Sequence, residues 1–197
     1  MMRIVHADDR LVVIDKPAGL LSVPGRTESD CASARVQAAY PDALIVHRLD
    51  QATSGLLLFA RGPDAQRELS ADFAGRRVGK TYVAVVAGHL EGEGLIDLPL
   101  GADWPNRPRQ QVDLEQGKPS QTRWRVLAHE GGHTRVALEP LTGRSHQLRV
   151  HLAHLGHAIL GDALYAEPDI AATSPRLLLH ASELHIGGHH FVCPPEF

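Results

Sequence analysis

Three clusters of side chains in this sequence have the types and spacing that chemistry requires, and the first contains a lone acid. In residues 47–60 (HRLDQATSGLLLFA), Asp50 follows the cationic Arg48 and precedes a turn that leads into an apolar strand. Aspartate is unfavourable in strands and on buried surfaces. Asp50 is therefore either an ordinary turn residue or a reactive carboxylate, and its position alone leaves both interpretations open.

The second cluster is a strand segment with one aromatic ring. Residues 80–88 (KTYVAVVAG) are rich in β-branched residues and end at a glycine, which predicts a strand. The period-two alternation places Tyr82 on one face of the sheet. Taken alone, this favours a half-buried structural tyrosine, since such a ring has an apolar body and a polar tip.

The third cluster concentrates polar and basic groups where a helix begins. Residues 142–151 (TGRSHQLRVH) place Arg144, His146 and Arg149 across a turn and the start of a predicted helix. The positive end of the helix dipole disfavours cations there. The pattern therefore indicates that an anion lies nearby, such as a phosphate or the Asp50 carboxylate. A solvated polar face is the alternative.

The histidines of this region do not predict a metal site. His151, His154 and His157 follow each other at intervals of three, but positions six apart on a helix diverge by about a third of a turn. No cysteine or acid stands at a familiar metal-ligand spacing. The sequence also lacks a glycine-rich phosphate loop and a nucleophile elbow. We therefore predict no metal site.

Hydrophobic periodicity and turn residues predict the elements that must position these clusters. Residues 64–73 and 147–155 read as helices, with a weaker helical segment at 33–40. Strands are predicted within 4–15, after Ser54, and at 80–88, 135–141 and 177–186, with a further extended piece at 20–23. Residues 103–119 form the longest irregular segment. Many strands with few helices, out of βαβ order, predict an α+β fold with a largely antiparallel sheet.

Composition limits the class of protein. The 197 residues suffice for one domain with its own core, and the formal net charge of −3 argues against a surface that binds polyanions everywhere. Cys31 and Cys193 are far apart and read as free thiols in a reducing compartment. The polar N-terminus does not resemble a signal peptide, and the apolar runs are too short to cross a bilayer. These features predict a cytoplasmic protein without membrane contact.

Taken together, the clusters resemble the motifs of the ribosomal large subunit pseudouridine synthase A family, in the usual order. Residues 13–25 (VIDKPAGLLSVPG) resemble the first motif and 47–60 the catalytic motif. Residues 80–88 are similar to the tyrosine strand and 143–151 to the arginine motif. Residues 161–165 (GDALY) and 176–181 (RLLLHA) resemble the later loop and strand motifs. The resemblance covers nearly the whole chain, including the segment around Trp104.

This resemblance implies a fold and a domain organisation. The expected fold is the α+β pseudouridine synthase catalytic fold, with a mixed, mostly antiparallel central sheet flanked by helices and loops and an active-site cleft across the sheet. Because only a few residues precede the first motif, we expect a single catalytic domain over residues 1–197, without an N-terminal accessory RNA-binding domain. A monomer is expected.

The resemblance also implies an activity, the isomerisation of uridine to pseudouridine within folded RNA, without a cofactor. Asp50 would be the essential catalytic aspartate, and Arg144 would pair with it and keep it ionised. Tyr82 would stack on the target base, and Arg48 would fill the gap left by the extruded nucleotide. Flipping a base out of a stack costs a few kcal/mol, which such stacking partly offsets. Whether Asp50 attacks the sugar or removes a sugar proton stays open.

Members of the resembled family modify a hairpin loop of 23S rRNA and the anticodon stem-loop of certain tRNAs, and we expect both substrates here. Contacts to the RNA backbone are predicted for basic residues of the second half of the chain: Arg107, Arg109, Lys118 and Arg149. Two alternatives remain. The protein could act on a single rRNA or tRNA site, or it could be a noncatalytic RNA-binding protein on the same scaffold.

Overall fold

The structure, a computed structural model, describes residues 2–197. Its helices and strands are, in chain order, β1 (Arg3–Ala7), β2 (Leu11–Lys16), α1 (Ala32–Ala39), β3 (Ala43–Ile45), β4 (Ser54–Arg61), α2 (Gly62–Ala74), β5 (Gly79–Ala87), β6 (Glu93–Asp97), β7 (Leu100–Ala102), β8 (Gln110–Val112), β9 (Gln121–Glu130), β10 (His133–Pro140), α3 (Gln147–His154), α4 (Pro168–Ala171), β11 (Leu179–Ile186) and β12 (His189–Val192). A short 3-10 turn spans Trp104–Asn106.

The chain divides into two compact units. The first contains the residues up to Lys80 together with His180–Glu196, and the second contains Thr81–Leu179 together with Phe197. Both units combine antiparallel strands with short helices, as the α+β prediction requires. No helix among residues 2–197 has the length and apolar character needed to cross a membrane.

The sheet of the first unit is built around β4. This strand pairs antiparallel with β2 and β3 and parallel with β11, and β11 continues into the antiparallel hairpin with β12. The first seven residues of β4 are buried, which explains why its sequence is apolar without alternation. One face packs on α2 through Leu69, with Leu56, Leu58 and Leu184 in the same core.

The sheet of the second unit is antiparallel in the order β5, β10, β9, β6. Tyr82 of β5 lies opposite Leu138 of β10 in this register. Strands β7 and β8 form a separate small hairpin, and the 3-10 turn lies in the loop between them. The helix α3 contacts β8, β9 and β10, so the start of the arginine motif rests on this sheet and on the hairpin.

The structure confirms most predicted elements and corrects others. The helices expected at 64–73 and 147–155 are α2 and α3, and the strands expected at 80–88 and 135–141 are β5 and β10. The segment 103–119 is not irregular throughout, since it contains a 3-10 turn and β8. The extended piece at 20–23 is reduced to one bridge between Leu21 and Cys31. Strand β9 was not predicted.

Candidate active site

The loop that carries Asp50 is held by a buried lysine from the first motif. Lys16, at the end of β2, has no exposed surface, and its Nζ donates hydrogen bonds to the carbonyl oxygens of Leu20 at 2.7 Å, Pro17 at 3.0 Å and Gln51 at 3.2 Å. A buried ammonium needs several such acceptors to offset its desolvation. Lys16 therefore ties the residue next to Asp50 to the first motif.

Three further hydrogen bonds fix the same loop. The N–H of Gly19 donates to the Gln51 carbonyl at 2.8 Å, and the Gln51 side-chain amide donates to the Gly19 carbonyl at 3.1 Å. The N–H of Thr53 donates to the Asp50 carbonyl at 3.1 Å, which closes the turn. Asp50 is half-buried, whereas Arg48 is exposed. The Asp50 carboxylate thus belongs to a rigid turn, as an aligned reactive group requires.

On the other side of Asp50, Ser22 fixes the backbone of Leu49. The Ser22 hydroxyl donates to the Leu49 carbonyl at 2.6 Å and accepts the Leu49 N–H at 3.0 Å. Both residues are buried, so these bonds are shielded from competing water. The first motif therefore holds residues on both sides of Asp50.

His47 anchors the start of the catalytic motif as a neutral ring. Its Nε2 accepts the N–H of Leu58 at 2.9 Å, and its ring stacks on Phe73 with centroids 4.3 Å apart. Burial, together with the positive charge of Lys80, lowers the pKa of His47 to about 3. The Nε2 lone pair is therefore available for the Leu58 bond over the physiological pH range.

In the second unit, Gln147 shapes the turn that presents Arg144. The Gln147 Oε1 accepts the Thr142 hydroxyl at 2.6 Å and the Arg144 N–H at 3.1 Å, while Nε2 donates to the Gln121 carbonyl at 2.9 Å. Gln147 is buried, and Arg144 is exposed with its Nε 3.4 Å from the Pro119 carbonyl. The buried amide thus orders a turn whose guanidinium reaches the surface.

Arg149 does not lie where a phosphate contact would place it. Its guanidinium is buried and forms a bidentate ion pair with Asp162, at 2.8 Å from Nε and 2.7 Å from Nη2. Asp162 also accepts the backbone N–H groups of Leu164 and Tyr165. This geometry argues against the predicted RNA contact, because the fork-shaped donor of Arg149 is already matched to a carboxylate. Arg149 instead holds the 161–165 loop against α3.

Tyr165 connects this loop to two other parts of the second unit. Its hydroxyl accepts the N–H of Gln110 in β8 at 2.8 Å and shares a hydrogen bond with His146 Nδ1 at 2.5 Å. His146, immediately before α3, has a left-handed backbone with φ of 54°. A non-glycine residue held in this conformation often marks a functional turn.

The remaining predicted RNA contacts are exposed. Arg107, Arg109 and Lys118 all reach solvent in or near the β7–β8 hairpin. Arg107 stacks on the exposed Trp104, with its guanidinium carbon 4.4 Å from the ring centroid, and Arg109 lies 5.4 Å from the Tyr165 ring. Arginine on an aromatic ring keeps its outward donors available while losing little side-chain freedom.

Each predicted catalytic residue has a defined place in its own unit. Arg48 and Asp50 belong to the first unit, whereas Tyr82, which is half-buried on β5, and Arg144 belong to the second. The pairing of Asp50 with Arg144 and the cleft across the sheet stay predictions.

Sequence reasoning missed three residues that support these sites: Lys16, Asp162 and Tyr165. The first two are charged residues within apolar surroundings, which is a detectable signal, but Gln51 and Arg149, the partners that connect them to the sites, are 35 and 13 positions away. His151, which was considered as a metal ligand, shares a hydrogen bond with the Thr122 hydroxyl at 2.9 Å and lies 3.0 Å from the Leu98 carbonyl. These bonds join α3 to the sheet.

Comparison with known proteins agrees with the motif pattern. Residues 10–154 match the family model described as RNA pseudouridylate synthase. The Dual-specificity RNA pseudouridine synthase RluA of Escherichia coli (strain K12) is 54% identical over 187 residues, which cover 93% of this chain and 85% of that protein. The protein of the same name from Yersinia pestis is 50% identical over 200 residues, which cover 100% and 97%.

Solved structures show the same architecture. Human RNA Pseudouridylate Synthase Domain Containing 1 superposes with a TM-score of 0.86 at 30% identity, covering 100% of this chain and 84% of that chain. Human RNA Pseudouridylate Synthase Domain Containing 4 superposes with a TM-score of 0.81 at 26% identity, covering 98% and 89%. The predicted fold class is confirmed.

The chain belongs to the RNA pseudouridylate synthase family. It is an isomerase that acts on RNA and converts uridine to pseudouridine, as the resemblance of its motifs predicted.

Proposed function

We propose that this enzyme modifies two classes of RNA, a hairpin loop of 23S rRNA and the anticodon stem-loop of certain tRNAs. The observation that carries the proposal is the 50–54% identity, over 92–100% of this chain, to proteins named dual-specificity RNA pseudouridine synthases. Single-stranded loops are the parts of folded RNA whose bases a protein can splay out and read.

In the proposed reaction, Asp50 acts on the ribose of an extruded uridine. The bond from the base nitrogen N1 to the sugar carbon C1′ breaks, and a bond from base carbon C5 to C1′ forms. The proton on C5 leaves and N1 gains one, so no cofactor or oxidant is needed. Asp50 either attacks C1′ or removes a sugar proton, and both routes require a carboxylate held in one place.

Three further residues are assigned to this site from the resemblance of their motifs. Tyr82 stacks on the extruded base, Arg144 pairs with the Asp50 carboxylate, and Arg48 occupies the space that the nucleotide leaves in the RNA. The exposed positions of Arg48 and Arg144 in their own units support these roles, because both side chains must meet a ligand. A guanidinium suits them, since it stacks on bases and pairs with carboxylates.

The backbone of the RNA is proposed to contact the β7–β8 hairpin through Arg107, Arg109 and Lys118. Their exposure and the stacking of Arg107 on Trp104 support this role. Arg107 and Arg109 place two cations two positions apart in a chain whose formal net charge is −3. Arg149 is not included, because its guanidinium is buried against Asp162.

We also propose that the chain works in the cytoplasm as a monomer and that both units serve one catalytic domain. The family match over residues 10–154 includes parts of both units and supports the last point. The similar proteins of Escherichia coli and Yersinia pestis come from bacteria, in which ribosomal and transfer RNA lie in the cytoplasm.

The test is pseudouridine formation by the wild type, Asp50→Asn and the control Asp9→Asn. Asp9 is an exposed acid outside the predicted site. Each purified protein is incubated with a 23S rRNA hairpin or a tRNA anticodon stem-loop, and pseudouridines are also mapped in total RNA of cells that carry or lack the gene.

We expect the wild type and Asp9→Asn to modify both RNAs and Asp50→Asn to bind them without modifying them. Modification of one RNA only would reject dual specificity and leave a single-site synthase. Full activity of Asp50→Asn would reject Asp50 as the catalytic residue. RNA binding by the wild type without any pseudouridine, in vitro or in cells, would favour a noncatalytic binding protein.

A further inference from the structure

The hairpin formed by β11 and β12 gathers two histidines and one acid on its outer face. Glu183 and His185 are two residues apart on β11, so they point to the same side of the sheet. His190 of β12 lies directly opposite His185 in the register. The neighbouring side chains Leu184 and Phe191 point the other way, into the core. The three polar side chains are therefore fixed on one face by the strand pairing.

The donor atoms of these side chains converge. The Glu183 Oε2 lies 2.9 Å from His190 Nε2 and 3.6 Å from His185 Nε2. The two imidazole rings stack with centroids 3.8 Å apart and an angle of 14° between their planes. One ligand atom from each residue lies within 4.8 Å of the other two. Two nitrogens on one tetrahedral zinc ion are roughly 3.3 Å apart. Because the two rings are nearly parallel, they must turn about their side-chain bonds before both lone pairs point at one ion.

The site is open to ions and is built on a firm base. The side chains of Glu183, His185 and His190 are 38%, 52% and 48% exposed, so an ion can enter without unfolding and water can complete its coordination. Gly79 leaves room for His185, because a Cβ placed at this glycine would lie 3.2 Å from the His185 Cβ. The pairing of β11 with β12 fixes the backbone that carries the three side chains.

We propose that Glu183, His185 and His190 bind a divalent transition-metal ion of the zinc class, independently of the RNA-modifying site. Imidazole nitrogens and a carboxylate oxygen are the donors that zinc accepts in three-ligand sites with an open fourth position. Magnesium and calcium are disfavoured, because they prefer sites made of oxygen atoms. Strand pairing brings this set together, because His185 belongs to β11 and His190 to β12.

A second cluster, Asp15, His180 and Cys193, also lies within ligand distance but does not compete as a metal site. Both nitrogens of His180 are used, Nδ1 with the Ser54 hydroxyl at 2.8 Å and Nε2 with the Cys193 carbonyl at 2.8 Å. The Cys193 thiol is buried, and burial raises its pKa to about 11. Forming the thiolate that a metal needs is therefore costly there.

The test is titration of the metal-free protein with zinc chloride by calorimetry. We compare the wild type, His185→Ala, His190→Ala and the control His189→Ala, whose exposed imidazole lies on the opposite face of the same hairpin. The wild type and the control are expected to bind one zinc ion with the same affinity. The dissociation constant of His185→Ala and His190→Ala should rise about tenfold or more.

A second measurement does not depend on substitution. In NMR spectra of the wild type, zinc should shift the ring signals of His185 and His190 and leave those of His189 unchanged. The proposal is rejected if the wild type binds no zinc, or if His185→Ala and His190→Ala bind it as the wild type does. Loss of zinc binding in Cys193→Ser, with His190→Ala unaffected, would also reject it and assign the ion to the buried cluster.

Discussion

The Nζ of Lys16 donates a hydrogen bond to the carbonyl oxygen of Gln51 across 3.2 Å, although 35 positions separate the two residues in the chain. The bond joins the end of β2 to the residue that follows Asp50. Since Lys16 is completely buried, the interaction is shielded from water. The position of the proposed catalytic carboxylate therefore depends on a side chain that is outside the catalytic motif.

Replacing this ammonium should lower activity more than it lowers substrate affinity. In Lys16→Met, three carbonyl oxygens lose a donor, which should reduce the free energy of unfolding by about 1–3 kcal/mol. The Asp50 turn should loosen, and kcat should fall about 10- to 100-fold. Single-turnover pseudouridine formation and urea denaturation measure the two effects. A variant that is destabilised but keeps the wild-type kcat would show that Lys16 supports the fold alone.

The buried ion pair between Arg149 and Asp162 should be essential for stability. Arg149→Met leaves an uncompensated buried carboxylate, and we expect a loss of about 3–5 kcal/mol in the free energy of unfolding. The control is Glu68→Gln, which breaks the exposed pair with Arg10 and should cost less than about 1 kcal/mol. If Arg149→Met kept its stability and lost RNA affinity, the result would support the RNA contact that the sequence predicts for Arg149.

Two glycines with left-handed backbones should respond very differently to alanine. A Cβ at Gly55, where φ is +110°, would lie 2.3 Å from the Ala181 carbonyl oxygen, whereas at Gly19, where φ is +86°, it meets nothing within 4 Å. Gly19→Ala should therefore cost only the backbone strain of about 1–2 kcal/mol. Gly55→Ala should cost about 3 kcal/mol or more, because β4 and β11 must also separate. Equal costs, measured by denaturation, would contradict the close approach.

The neutral state of His47 predicts a pH dependence of stability. Its pKa is about 3 in the folded protein and near 6.5 in the unfolded chain, so between these values only the unfolded chain binds the proton. Stability is therefore fully present above pH 6.5 and is lost as the pH falls toward 3, by up to about 1.4 kcal/mol per pH unit.

His47→Gln keeps an acceptor for the Leu58 N–H but cannot titrate, so its stability should fall less between pH 6.5 and 4. Asp8, whose pKa is lowered to about 2 mainly by its hydrogen bond with His6, affects both proteins alike. Parallel pH profiles of the two proteins, measured by urea denaturation, would show that His47 binds its proton over the same pH range in the folded and unfolded states.

The β7–β8 hairpin should contribute electrostatically to RNA affinity. Replacing Arg107, Arg109 or Lys118 by alanine should weaken binding to both RNAs and reduce the slope of log affinity against log salt by about 1 per phosphate contact. The control Arg67→Ala removes an exposed arginine of α2. Filter binding at several salt concentrations measures the slopes. An unchanged slope in all three variants would remove the hairpin from the RNA interface.

How far the sequence predicts this structure depends on the kind of signal each segment carries. The amphipathic spacing of α2 and the continuous apolar run of β4 identified those elements correctly, because each buries the surface that its pattern indicates. Strand β9 escaped detection although Thr122, Trp124 and Val126 alternate with exposed residues, because only Thr122 is fully buried and the last four residues of the strand are all exposed.

The site was less predictable than the fold, for a different reason. The types of residue in the three clusters indicated the chemistry, but hydrogen-bond partners are set by tertiary folding. Nothing in the spacing of Arg149 and Asp162, which are 13 positions apart, shows that they form a buried ion pair. The spacing of His185 and His190 likewise does not show that they are cross-strand partners, since their pairing follows from the register of β11 and β12.

The two hydrogen bonds of the Tyr165 hydroxyl bear on the construction of chimeric synthases. It is hydrogen-bonded both to the backbone N–H of Gln110 in β8 and to His146, which immediately precedes α3. A β7–β8 hairpin transplanted from a relative would therefore seat properly only if its recipient supplied a phenol at this position. The β7–β8 hairpin and the turn that presents Arg144 are thus connected through one side chain, and an exchange of either part has to preserve that connection.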